Sequence, residues 1–410
     1  MHSKIAVIGS GDAGKSLVSL LKQRGIYDSF DIRIIDPKKT YTYQSGLTLV
    51  GAGKKKISEI QRQNRFLVPF HSDFIQDNVV EINPENNEIR TEINGSFYYD
   101  HLIIAPGTQA TPSKTEGLLE ALEDRDSPVG SIYLPKYAIK YSELRENLVR
   151  KKQTNGIKAV FTQPSTPIKC GGAPQKILHL SHETWTKDKL DVDYSFLSGG
   201  GKLFPSDYYI PELTKQLTDK NVDISLNSEL IKVDGRNRTA FFKDTQSGTI
   251  FEKNFDILHA TPVNVPPAFI AKSGLANPNG YVNVNKETFQ HNNFTNIWSI
   301  GDAADLPTSK TNSAVNAQIW ILARNLEASL KGIAPEELDN KYGGYTACPV
   351  LLGDNKVMIC EFGYNGEPRN SFKVLKNTKG HKVHYFLKTQ VFNRLNLFNL
   401  NKFVNLGLDK

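Results

Sequence analysis

Cys170 stands where sulfur chemistry is favoured. It lies in Pro167-Ile168-Lys169-Cys170-Gly171-Gly172-Ala173-Pro174-Gln175-Lys176, directly after a strand-like run from Lys158 to Thr162. Pro174 suits the first turn of a helix, so Cys170 is expected just before a helix N-terminus. Lys169 is beside it and Lys176 nearby, and both the helix dipole and the cations favour a thiolate. Cys348 sits in Tyr345-Thr346-Ala347-Cys348-Pro349-Val350, which reads as a loop. Cys360, inside the apolar run Val357 to Phe362, reads as a packed core residue. Three cysteines at wide spacing fit neither a secreted disulfide framework nor a zinc site built from C-x-x-C pairs, so no metal is expected. Cys170 and Cys348 are 178 positions apart, and spacing alone does not bring them together.

A second cluster of motifs concerns a nucleotide. Gly9-Ser10-Gly11-Asp12-Ala13-Gly14 matches G-x-G-x-x-G immediately after the apolar run Ile5 to Ile8, and Asp36 ends the next strand 22 residues past Gly14. Gly9 permits the tight turn, Gly11 lets a pyrophosphate approach the backbone, and Gly14 allows helix to pack on strand. Asp36 is placed to hold a ribose 2′-hydroxyl, which favours FAD or NAD over NADP. Two later segments, Leu102 to Thr108 with Gly107 in its turn and Asn296 to Asp302, are apolar strands that end in small or acidic residues. With the N-terminal motif they resemble the three-part FAD signature of flavoproteins built from two dinucleotide-binding domains, in which Asp302 would bond the ribityl chain.

These residues require an α/β scaffold to hold them. The chain has 410 residues, enough for two to four domains, and its 39% hydrophobic and 23% charged residues support a folded core. Residues 4 to 36 read as one βαβ unit with its helix at Ala13 to Arg24 and its second strand at Asp31 to Ile35. Further strands are expected at Phe97 to Ala105, Asp191 to Leu197 and Ile297 to Ile300, and a long helix at Ser313 to Lys331. The expected fold class is therefore α/β, with two Rossmann-like dinucleotide-binding domains. Residues 1–112 form the first part of the FAD-binding domain, 113–280 the second Rossmann-like domain carrying Cys170, 281–335 the second part of the first, and 336–410 a C-terminal region. Ser113 to Ser131, rich in Glu, Asp, Ser and Gly, reads as the crossover between domains.

No window approaches a membrane-spanning length, and Met1 to Lys4 lead straight into a strand, so neither a spanning helix nor a secretory or transit segment is expected. The formal net charge of +7 is too diffuse to argue for nucleic acid. Much of it falls in the tail: between 381 and 410 stand five basic residues, Lys382, Lys388, Arg394, Lys402 and Lys410, against Asp409 alone. Tyr385, Phe386, Phe392, Phe398 and Phe403 alternate there with leucines, a composition suited to an amphipathic helix lying on an anionic bilayer.

At Thr48 to Gly53, Pro167 to Lys176, Gly301-Asp302, Leu306 to Thr311 and Gly344 to Pro349 the chain resembles the sulfide:quinone oxidoreductases, and most of all the branch that includes the mitochondrial enzymes. The resemblance runs from about residue 4 to 365 and is strongest around Cys170 and Cys348. It implies an FAD-dependent enzyme in which these two cysteines form the redox pair, bridged at rest by a disulfide or trisulfide. Sulfide would attack at Cys348, leaving a persulfide there, and the released Cys170 thiolate would reduce FAD, which passes electrons to ubiquinone or menaquinone. A small thiol, sulfite or a second sulfide would take the sulfur. Lys310 would lie near the flavin. The resemblance also implies a peripheral membrane protein on the cytoplasmic face of a bacterial membrane or the mitochondrial inner membrane, with a homodimer among the assemblies open to it. Two rivals are a type II NADH:quinone oxidoreductase, which would need a second nucleotide cradle where Cys170's segment stands, and a flavin-binding structural or signalling protein with inert cysteines.

Overall fold

A computed structural model describes residues 2–26, 32–69, 72–150, 156–339, 341–371 and 374–398. The apolar run Ile5 to Ile8 forms the inner end of the strand His2–Ile8, which pairs in parallel with Ile32–Ile35 on one side and Ser96–Ile104 on the other. Segments covered on both faces are expected to be continuously apolar, as Ile5 to Ile8 and Leu102 to Ile104 are. Asp73–Ile75 extends the sheet past Ile32–Ile35, and Ile297–Ser299 joins the C-terminal half of Ser96–Ile104, both in parallel. The N-terminal half of that long strand pairs instead with an antiparallel arm, Glu88–Thr91 and Val79–Asn83. Helices Asp12–Gln23 and Asn312–Leu330 pack beside each other, against the strands that carry the nucleotide motifs.

The second sheet is wholly parallel, in the order Val129–Gly130, Ile257–His259, Ile157–Gln163, Val192–Ser198, Val222–Ser225. Its first strand lies in the stretch expected to be a plain crossover. Residues 113–131 instead hold a short helix, Leu118–Glu123, and that edge strand. The apolar residues there are few, but Leu118, Ala121 and Leu122 fall on one helical face and are buried against Val233 and Phe242. Lys140 Nζ closes the end of this helix by donating to the carbonyls of Ala121, Leu122 and Asp124.

The chain leaves the first domain and returns to it side by side, through the antiparallel pair Gln109–Ala110 and Asn264–Val265. Ser273, which follows the helix Ala268–Lys272, already accepts a hydrogen bond from the Ile82 amide in the first sheet's arm. We therefore place the return at about residue 265 rather than 280.

Cys348, expected in a loop, lies in the strand Thr346–Gly353. This strand forms a hairpin with Lys356–Phe362, and the turn residues Asp354 and Asn355 both have positive φ, as a tight two-residue hairpin requires. Thr346–Gly353 is the outer strand of its sheet, and there Pro349 removes no ladder hydrogen bond that the fold needs.

The last described element is a helical run made of Lys382–Phe386, a wider π turn Leu387–Val391, and Phe392–Leu397. Its amphipathic character is as expected, but the faces are assigned differently. Lys388, expected on the lipid side, is buried, as are His384, Asn393 and Asn396. Val383, Phe386 and Phe398 face outward at 50%, 57% and 58% exposure. Leu400, Lys402, Phe403, Leu406, Asp409 and Lys410 lie outside the described residues. No described helix is long and apolar enough to cross a membrane.

Candidate active site

The loop between the strand Ile157–Gln163 and the helix Ala173–Lys187 carries Cys170 two residues ahead of the helix cap, Gly172. Cys170 adopts a left-handed backbone, φ +57°, that only glycine takes without cost. It is held so by its neighbours: its N–H donates to Lys310 O at 2.8 Å, and its own carbonyl accepts from Ala173 N at 2.8 Å. The Lys310 segment is fixed in turn by Thr311, which caps the helix Asn312–Leu330 and hydrogen-bonds Thr346 Oγ1 at 2.8 Å, on the strand of Cys348.

These supports place Cys170 Sγ 3.1 Å from Cys348 Sγ. Gly172 makes the approach possible, since a Cβ there would lie 2.6 Å from the Cys348 sulfur. Lys176, one helical turn on from Cys170's end of the helix, donates from Nζ to Cys170 Sγ at 3.0 Å. The contact with Cys348 and the Lys176 ammonium push the Cys170 thiol well below its usual range against the cost of burial. Cys348 is pushed the other way by the same contact and by burial. Burial alone would depress Lys176, but the two sulfurs outweigh it and keep the ammonium charged. One sulfur is thus the ready thiolate and leaving group, and its partner is the thiol. Lys388, from the C-terminal helix, lies in the same field, brought down to about 8 by burial and then by Lys176.

A cavity of about 680 Å³ runs from the glycine-rich turn past Cys170 and Lys176 to the C-terminal helix at Leu387, Lys388 and Phe392. Gly11, Asp36, Gly107, Asp302 and Lys310 all line it. Gly9 and Gly14 lie beneath it: Gly9 has φ +97°, and a Cβ on Gly14 would stand 1.9 Å from Gly9 O. At Gly11, by contrast, a Cβ would meet nothing within 4 Å and point into open space, as a pyrophosphate site demands. Asp36 accepts from the Ser10 and Lys38 amides at 2.7 and 2.8 Å. Asp302 is half-buried, and desolvation raises its carboxyl, opposed by Lys169 and Lys310. Lys310 Nζ donates to Ala304 O at 2.7 Å above the Tyr281 ring, and burial lowers it to about 8. Thr108, Asn312 and Asn316 also line the cavity, and Thr108 Oγ1, Asn312 Nδ2 and Asn316 Oδ1 have no hydrogen-bond partner among the described residues. Such orphaned polar atoms call for a polar ligand, and they fit FAD.

Sequence spacing puts Lys176 near Cys170 without showing its sulfur contact, and the tail's composition points Lys388 toward lipid. Only the π-turned helix reveals Lys388's direction; nothing in Leu387-Lys388-Thr389 marks it. Cys360 is buried in the hairpin as expected.

The second parallel sheet has no glycine cradle at the end of Ile157–Gln163. The Glu229 carboxylate stands there much as Asp36 does in the first sheet: Oε2 accepts from Ser165 N at 2.7 Å, as Asp36 accepts from Ser10 N, and lies 1.7 Å from where a Gly199 Cβ would stand.

Two parallel-sheet domains, one with a dinucleotide turn and a polar cavity and the other without, and a cysteine pair on the cavity wall define a flavoprotein oxidoreductase of the two-dinucleotide-domain class. No family model matches the chain. It is 36% identical over 95% of its length to the mitochondrial sulfide:quinone oxidoreductase of Schizosaccharomyces pombe, covering 88% of that protein. To the mitochondrial enzyme of the same name from Mus musculus it is 35% identical over 90% of its length and 80% of the relative's. The structure of the sulfide:quinone oxidoreductase from Aquifex aeolicus superposes with a TM-score of 0.80 at 18% identity, over 97% of this chain and 91% of that one. The chain belongs to the sulfide:quinone oxidoreductase family and is an FAD-dependent enzyme.

Proposed function

We propose that the chain oxidises sulfide at Cys170 and Cys348 and sends the electron pair through FAD to quinone. The approach of the two sulfurs to 3.1 Å, on the wall of the cavity that begins at Gly11, carries this reading. With the pair bridged, hydrosulfide attacks Cys348, the bond to Cys170 breaks, Cys348 becomes a persulfide, and Cys170 leaves as a thiolate held by Lys176. Bound FAD supplies the two-electron acceptor that the thiolate needs. Gly9, Gly11 and Gly14 would shape its pyrophosphate cradle, Asp36 would accept from the ribose, Gly107 lets the second strand turn away, and Asp302 would accept from the ribityl hydroxyls. Lys310, on the cavity wall, would supply a cation near the ring. The sulfane sulfur leaves to a small thiol, sulfite or a second sulfide.

The outward face of Val383, Phe386 and Phe398 supports a docking role at a bilayer, next to the cavity end at Leu387 and Phe392 where a lipid-soluble quinone would enter. The relatives' names are mitochondrial, and we place this chain as a peripheral protein of the same membrane system.

The test is anaerobic titration of the holoenzyme. Micromolar sulfide should bleach the flavin and NADH should not, since no glycine cradle follows the strand Ile157–Gln163. Bleaching by NADH alone would replace this reading with the NADH:quinone oxidoreductase one.

A further inference from the structure

Cys360 has no part in the cycle just described, yet its position is not that of an ordinary core thiol. In the register of the hairpin it lies directly opposite Cys348. Opposed residues of an antiparallel pair project to the same face and have Cα atoms about 4.5–5.5 Å apart, inside the window of about 4.4–6.8 Å that a disulfide requires. That face looks onto the helix Ala173–Lys187, where Gly172 and Lys176 lie against the other two sulfurs. Cys348 therefore has two cysteine neighbours, one across the domain contact and one across its own hairpin. All three thiols are unlinked in the structure.

We propose that Cys360 is a second disulfide partner for Cys348, reached by thiol–disulfide exchange from the Cys170–Cys348 bond. The inference rests on the redox-pair reading above. In the exchange the Cys360 sulfur attacks Cys348 Sγ. A Cys348–Cys360 bond forms, the Cys170–Cys348 bond breaks, the Cys360 proton is lost to solvent, and Cys170 departs as a thiolate beside Lys176. Bond count and oxidation level are unchanged, so no outside oxidant is needed. Cys170 is the better leaving group because a cation and a helix N-terminus stabilise its anion. Burial holds the Cys360 thiol well above its usual range, so it attacks slowly. The exchange is therefore a side path that sets in when the oxidised enzyme stands without sulfide, and it parks the oxidising equivalent where Cys170 no longer shares it.

Peptide mapping of the stored holoenzyme tests this. Oxidised protein is quenched in acid, unfolded with N-ethylmaleimide and cut with trypsin without reductant. Cleavage after Lys169, Lys176, Lys341, Lys356 and Arg369 puts the three cysteines on separate peptides, 170–176, 342–356 and 357–369. The expected result is a 342–356 to 357–369 link that grows with storage, accompanied by alkylated Cys170. Stored enzyme should show a lag before steady turnover, which Cys360→Ala abolishes. A Cys170→Ala holoenzyme treated with diamide should convert mostly to the same link. If Cys360 stays fully alkylated in stored wild-type enzyme while 170–176 is linked to 342–356, the inference is overturned and the redox pair stands. If 170–176 is never linked and sulfide does not bleach the flavin, the redox-pair reading fails with it.

Discussion

At the scale of single residues the two sulfurs of the pair are made unequal by what surrounds them. Cys170 has a helix N-terminus and Lys176; Cys348 has a buried strand and the electron-rich neighbour. Changing either to serine should abolish sulfide-dependent quinone reduction in a steady-state assay, because one exchange cycle uses both sulfurs. Cys360→Ser should leave turnover of fresh enzyme within about twofold, since the side path is slow. Lys176→Gln removes the cation from the Cys170 thiolate. A hydrogen bond to a charged group contributes about 1.5–3 kcal/mol, so the thiol should rise by about one to two pH units. Alkylation of the reduced enzyme by iodoacetamide, followed against pH, should show the Cys170 midpoint move upward. An unmoved midpoint would assign the thiolate to the Cys348 contact and the helix N-terminus.

Elements decide which way those residues face. The C-terminal helix turns its polar side, His384, Lys388, Asn393 and Asn396, toward the interior and leaves phenylalanines in solvent, the reverse of an ordinary docked helix. Lys15 Nζ, from the glycine-motif helix, donates to Asn396 O at 3.2 Å and ties this element to the nucleotide domain. Cutting the chain after Gly380 would therefore remove part of the active cavity along with the docking face. Substituting the outward residues separates the two. Phe386→Glu with Phe398→Glu should reduce binding to anionic liposomes at least tenfold, since each buried phenylalanine contributes roughly 1.5–3 kcal/mol. Flavin bleaching by sulfide should be retained, and wild-type binding should weaken with salt because a Debye length of about 10 Å at 0.1 M screens the lipid attraction. Unchanged sedimentation with liposomes would move this face from lipid to a protein contact.

The whole molecule is assembled around the cavity. Gly9 to Gly14, Gly107 and Asp302 come from three parts of the chain, and an occupant that bridges them holds the first domain closed. FAD at a hundred times its dissociation constant should stabilise the apoprotein by about 2.7 kcal/mol, which for a chain of this length is a rise of about 3 °C in Tm. Gly11→Val should be colourless and show no such rise. Its own Tm should match that of the wild-type apoprotein, because the new side chain enters open space rather than the core. A yellow Gly11→Val protein would remove Gly11 from the cofactor site.

The first βαβ unit, the Cys170 loop and the long helix after Gly301-Asp302 were legible in the sequence because each is specified locally: an apolar run, a glycine turn, a capped helix. Asp36 and Asp302 were legible for the same reason, each standing at the end of its own strand. The pairing of Cys170 with Cys348 was accessible only through family likeness, since no local rule relates residues 178 positions apart. Three assignments had to wait for tertiary structure. Pro349 reads as a loop residue until the strand is known to be an edge, Leu118 to Glu123 reads as linker until a core accepts its three apolar side chains, and Lys388 reads as a lipid contact until a π turn rotates it inward. The register that sets Cys360 opposite Cys348 belongs with them. Local sequence determines which elements form, whereas burial, edge position and register are properties of what the elements pack against, and those partners come from distant parts of the chain.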